Sequence, residues 1–296
     1  MTSSQKYQSS DYQSPDNIRN EEPVFAGLEK KDHDKRIIIL LILAPLWTLV
    51  FTIIPVVVKV NGIGADIYRF VEPIISLPLN YFILASSKVF DNNSDSKPFV
   101  LSLSERGFLN VWFMVAAAFY AQGAGMHSTA ILAKHWLENL ITAKPDIVTS
   151  YPEMNDMLYY FQTTLEHEVG HYMYAFGSAL ISWSHLFAYR RQVHKEIDSK
   201  SRLAFWILGG VIYSLILGGV AIEFPKGTIV GLVYVLILGI PLGIYLFKTG
   251  DLLSKGKRLV LQSYLIGYII GFFIIVIWVI AVGGFQDRKS AGILAK

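Results

Sequence analysis

From residue 37 onward the chain alternates long apolar blocks with short polar breaks. Seven blocks are read as helices, at 37–58, 67–87, 108–133, 157–188, 203–223, 228–247 and 259–284. Each reaches the roughly 18–20 residues that a helix needs to cross about 30 Å of hydrocarbon. Arg69, Glu72, Pro73 and Pro78 interrupt the second, and the third and fourth are long enough to project beyond a bilayer. The breaks carry turn and loop residues, as in DNNSDSKP at 91–98 and FPKG at 224–227. Residues 1–36 are rich in Ser, Gln, Asp and Asn, hold no long apolar run, and are expected to be a disordered tail. The expected fold is therefore all-α: a polytopic seven-helix transmembrane bundle over 37–284, with a short polar C-terminal tail over 285–296.

Composition agrees with this reading. Hydrophobic residues make up 53% of the 296 positions and charged residues only 17%, against about 25% charged in soluble domains. The mean hydropathy is +0.42. No cysteine occurs, which excludes disulfides, thiolate metal sites and iron–sulfur clusters. A net charge of +3 gives no support to nucleic-acid binding, and the sequence does not specify an oligomeric state. With the N-terminus placed in the cytoplasm, sixteen Lys and Arg flank the spans inside and eight outside. That bias predicts an integral, multi-pass protein with a cytoplasmic N-terminus.

Chemistry concentrates in the fourth span. His167-Glu168-Val169-Gly170-His171 is an H-E-x-x-H motif. On a helix its two histidines lie one turn apart on one face, where two neutral imidazoles can grip one Zn²⁺ or another divalent transition metal. Glu168 can then polarise a metal-bound water as general base. Thr164, His167, His171, Tyr174, Ser178, Ser182 and His185 recur at steps of three or four, a stripe expected to face the bundle interior. The bland reading of the motif and its stripe is an interhelical packing seam.

A third ligand must come from elsewhere. His127 and the motif are about equally far from the middle of the connecting loop, so antiparallel neighbours would hold them at one depth. Gly123 and Gly125 would let the two backbones approach. Three histidines plus water is a known catalytic zinc set. Glu223, downstream of the motif, is the alternative third ligand. Glu166 is a candidate orienter of a histidine, while His135 and Glu138 fall farther toward water. Counted from Arg190 and Arg191, His171 should lie about 6 Å and His167 about 12 Å from the midplane, on the extracytoplasmic side.

The H-E-x-x-H segment resembles the signature of the zincin metallohydrolases, over the motif alone. That resemblance implies zinc hydrolysis with Glu168 as base. The apolar-Asp-Gly segment that site-2 proteases carry on a later span is missing, as is the E-x-x-A-D-like segment of CAAX-type enzymes. Seven spans with three buried histidines are also similar in architecture to the ceramidase and adiponectin-receptor group, whose paired histidines come late in the chain. The expected function is a metal-dependent membrane hydrolase acting on a lipid-like or membrane-peptide substrate. Alternatives are a transporter or channel for metal ions or protons, and a structural or haem-bearing subunit of a membrane complex.

Overall fold

The computed structural model describes residues 24–57, 63–91 and 98–293. Long helices occupy all seven expected positions: α1 (Val24–Val57), α2 (Ile63–Ala85), α3 (Glu105–Ala143), a continuous helical stretch from α5 to α6, α7 (Lys200–Glu223), α8 (Gly227–Lys248) and α9 (Leu259–Ala281). The α5 to α6 stretch runs through α5 (Glu153–Tyr159), an eleven-residue π-helical segment (Tyr160–Gly170) and α6 (His171–Tyr189). A one-turn helix, α4 (Asp146–Ser150), caps the turn between α3 and α5.

Three helices, α7, α8 and α9, are long and apolar enough to cross a membrane, and α2 holds a shorter apolar stretch at Phe70–Ala85. The helices α3 and α5 to α6 are broken by polar side chains such as Gln122, His127, Lys134, Glu166 and His167. Membrane length and apolarity are thus plain in three of the seven expected spans. α3 pairs with α6 along its length, α7 packs on α9 and α1, and α8 closes on α9. α1 and α2 join the two groups.

Two features depart from the expected pattern. A small antiparallel hairpin precedes α3, with β1 (Pro98–Val100) paired to β2 (Leu103–Ser104). Leu101 and Ser102 turn it at φ 49° and 63°, the left-handed pair that a two-residue hairpin loop requires. Ser104 then caps α3, accepting the Gly107 N–H at 3.1 Å. At the other departure, α1 starts at Val24 rather than at 37. Its polar N-terminal turns find polar partners: His33 Nε2 donates to the Ser86 carbonyl at 2.9 Å, and Asp34 meets His194 Nδ1 at 2.6 Å. The remainder of the expected tail, 1–23, lies outside the described residues. The C-terminal segment also docks, since the Arg288 N–H donates to the Ile222 carbonyl at 2.8 Å.

One ion pair ties the two connections at the α6–α7 end of the bundle. Asp251, 2% exposed, accepts from Arg258 Nε at 2.9 Å and lies 2.7 Å from Lys257 Nζ. Arg258 also donates to the carbonyls of Arg190 and Gln192. Lys257 and Arg258 beside it hold the Asp251 carboxyl at about 2, below the ordinary carboxylate range. A folded-state value below the unfolded one stabilises the fold above pH ~4 and is lost as pH falls through about 2. Asp251→Asn should lower stability by about 3 kcal/mol at neutral pH, because Arg258 is left buried without its anion. Thermal unfolding in detergent checks this: the gap to wild type should narrow only below pH ~4.

Candidate functional site

Small residues bring α3 against α6. A Cβ on Gly123 would lie 2.3 Å from the Tyr174 nitrogen, and one on Gly177 would lie 2.3 Å from the Tyr120 nitrogen. At Gly170 a Cβ would stand 3.0 Å from both Cβ and N of His127. Gly125, expected to share this role, has nothing within 4 Å of its Cβ position. Two residues along a helix is 200° around it, so only one of that glycine pair can face the partner.

This close crossing sets His127 against the motif. The His127 and His171 rings meet edge to face with centroids 4.5 Å apart, and His167 and His171 stack at 5.6 Å with 14° between planes. Phe224 covers the other side of His171, stacked at 5.1 Å. His171 Nδ1 lies 2.8 Å from the backbone carbonyl of Glu166, five residues back. That carbonyl can only accept, so Nδ1 carries the proton and the lone pair sits on Nε2. The five-residue reach matches the π-helical register that ends at Gly170. His167 Nδ1 is buried with no hydrogen-bond partner among the described residues.

Glu166 has two roles here that sequence reasoning compressed into one. Its carbonyl orients His171, while its carboxylate is 2.8 Å from Lys134 Nζ and 3.9 Å from His167 Nε2. Glu168, two residues along, is exposed and lines a shallow recess with Tyr172, Met173, Pro225 and Lys226. No histidine of the row lines that recess. Glu223 forms a 3.0 Å ion pair with Arg288, and the downstream side chain that reaches the motif is its neighbour Phe224. His135 and Glu138 are exposed on the part of α3 that projects past this level.

The donor set suits a metal. Imidazole side chains suit Zn²⁺ or a similar divalent ion, His171 is held through Nδ1 by a backbone carbonyl as a ligand's would be, and His167 has a buried nitrogen to satisfy. The rings pack on one another, one pair stacked and one edge to face, rather than converging on a point. Among the described residues no three His, Asp or Glu side chains form a ready ligand group, so loading requires a ring to turn.

No known protein family matches the chain, and no curated protein or solved structure matches it significantly.

Phe224 is the residue after α7, so the imidazole row packs at the end of that helix.

Tyr174, Ser182 and His185 of the polar stripe face inward. Tyr174 OH bonds Tyr120 OH at 2.7 Å, and Tyr120 OH donates to the buried Glu72 at 2.6 Å, as does Thr48 Oγ1 at 2.9 Å. Ser182 joins Tyr213 and Tyr234. His185 is fully buried, bonded to Tyr264 OH and the Asn80 carbonyl, and is a packing histidine. Beside this stripe lies a cavity of about 710 Å³ whose wall runs from Phe224 and Tyr172 to Asn80 and Tyr264. Its size and mostly apolar wall are those of a small-molecule site. The Glu72 cluster was not anticipated; a carboxylate in an apolar span was the available signal.

Proposed function

We propose that this chain is a multi-pass membrane protein, N-terminus in the cytoplasm, and a metal-dependent hydrolase of a lipid-like or membrane-associated substrate. The observation that supports the reading is the row of three imidazoles, drawn from two helices by a glycine contact and set beside a large apolar cavity. His127, His167 and His171 would hold the ion. Zinc, when bound, supplies a nucleophilic water at neutral pH and polarises the scissile carbonyl. The chain's own residues fix the His171 tautomer through the Glu166 carbonyl, shield one side of the row with Phe224, and offer the cavity to an apolar chain.

Likeness to the zincin motif gives the general-base role to Glu168, whereas Glu166 is the carboxylate that stands beside the row. Gln substitutions at both positions separate the two, since the base variant keeps metal and loses turnover. The decisive measurement is metal content of purified protein. About one transition-metal ion per chain is expected, falling at least tenfold in His171→Ala and His127→Ala, as a three-ligand site requires. A metal-free wild-type protein would falsify the reading.

A further inference from the structure

Glu72 is a buried carboxylate that the hydrolase reading leaves unused. It sits in α2, 5% exposed, and its Oε1 accepts from Thr48 Oγ1 at 2.9 Å and from Tyr120 OH at 2.6 Å. α1, α3 and α6 pack against α2. Among the described residues none of them brings a Lys, an Arg, a His or a second carboxylate to this group. The titratable groups that face it are Tyr120 from α3 and Tyr174 from α6. His185, also on α6, meets α2 at the Asn80 carbonyl, about 12 Å farther along the helix.

Two opposing pulls act on its charge. Hydroxyl donors favour the carboxylate, while apolar surroundings with no cation favour the neutral acid. A group held between these two forms changes state on gain or loss of one proton. The hydroxyls also supply a route. Tyr120 gives its own proton to Glu72, so in its 2.7 Å bond with Tyr174 the Tyr174 hydroxyl is the donor. Ser76 Oγ, at 3.5 Å, takes up the remaining acceptor capacity of Tyr120. Tyr120 and Tyr174 line the 710 Å³ cavity, whereas Glu72 does not. A phenol ionises far more readily than an aliphatic hydroxyl such as that of Thr48, and is the better carrier.

We propose that Glu72 is a proton-binding site that exchanges with the cavity through Tyr174 and Tyr120. A hydrated proton in the cavity gives H⁺ to the Tyr174 oxygen and is left as water. Tyr174 passes its own hydroxyl proton to Tyr120, and Tyr120 passes its own to Glu72 Oε1. Each O–H bond broken is matched by one formed, the carboxylate becomes a neutral acid, and the hydrogen bonds along the chain reverse direction. Release runs the same steps backwards. Carboxylates inside membrane spans serve proton handling of this kind. The site goes beyond the hydrolase reading and needs no metal.

The test uses full-length protein in detergent and follows the carbonyl stretch of a protonated carboxyl by infrared difference spectroscopy, after a jump from alkaline to acidic buffer. A band that shifts in D₂O and is absent from Glu72→Gln is expected. Its rate of appearance should fall about tenfold or more in Tyr120→Phe and in Tyr174→Phe, since a positioned proton donor contributes at least that. Thr48→Val removes a donor to Glu72 outside the tyrosine chain and should leave the rate near wild type. Two tyrosine variants guard against one that misfolds. Dicyclohexylcarbodiimide, which attacks protonated carboxyls in apolar sites, should label Glu72 in the wild-type protein and locates the group without a variant there. Absence of both band and label at Glu72, a rate unchanged in both tyrosine variants, or equal slowing by Thr48→Val overturns the proposal. His127→Ala should lose metal yet keep the band and its rate, so failure of the hydrolase reading is seen separately.

Discussion

Gly177→Leu is expected to disrupt the α3–α6 pair and with it the histidine row. A Cβ at this position would fall 2.3 Å from the nitrogen, 2.7 Å from the Cα of Tyr120, and 2.9 Å from the Ala116 carbonyl oxygen. All three are backbone atoms, so no rotamer change relieves the clash, and the helices must part by an ångström or more. Parting them stretches the Tyr120–Tyr174 hydroxyl bond and opens the 4.4 Å ring contact between the same residues. It also withdraws His127 from His171. Overpacking in a tight core costs about 1–3 kcal/mol when side chains can yield; against backbone the penalty should exceed that range. Gly125→Leu is the matched control, because nothing lies within 4 Å of its Cβ position. Thermal stability by fluorescence-detected gel filtration should drop sharply for Gly177→Leu and stay near wild type for Gly125→Leu. Equal behaviour of the two would show that the helices do not meet as described.

Run lengths made the seven long helices legible, since an apolar block of twenty residues has few other solutions. They did not reveal which helices remain strongly apolar once paired, nor how far a hairpin projects. The approach of the His127 ring to His171 was readable from helical phase and loop symmetry. The glycine that enables it was half readable: Gly123 and Gly125 are equivalent in sequence, and only the phase of the partner helix chooses between them.

The carboxylates show the same limit. Glu166 and Glu168 flank His167 by one residue, about 100° to either side of it on a helix. A motif singles out Glu168, but the π-helical segment carries the Glu166 carbonyl to His171 and its carboxylate to Lys134. A change of register by one residue is invisible in an apolar pattern. The hydroxyl ring was hidden for another reason: Tyr213, Tyr234 and Ser182 come from three helices, and each alone reads as an ordinary interior polar residue.

Breaking the Lys134–Glu166 pair should have the second large effect, and it also separates packing from chemistry. The two side chains are 14% and 8% exposed and 2.8 Å apart. Removing one partner of such a pair strands the other, at about 3–5 kcal/mol. Lys134→Met and Glu166→Gln should each destabilise by that order, while the double variant should recover most of the loss. The carbonyl that orients His171 belongs to the backbone and survives all three substitutions. Metal content in the double variant should therefore stay near wild type, with stability restored. Additive losses across the cycle would mean that the pair contributes nothing as a pair. Metal lost in a stably folded double variant would make the Glu166 carboxylate itself part of the site, with its 3.9 Å approach to His167 Nε2 shortening when the ion is bound.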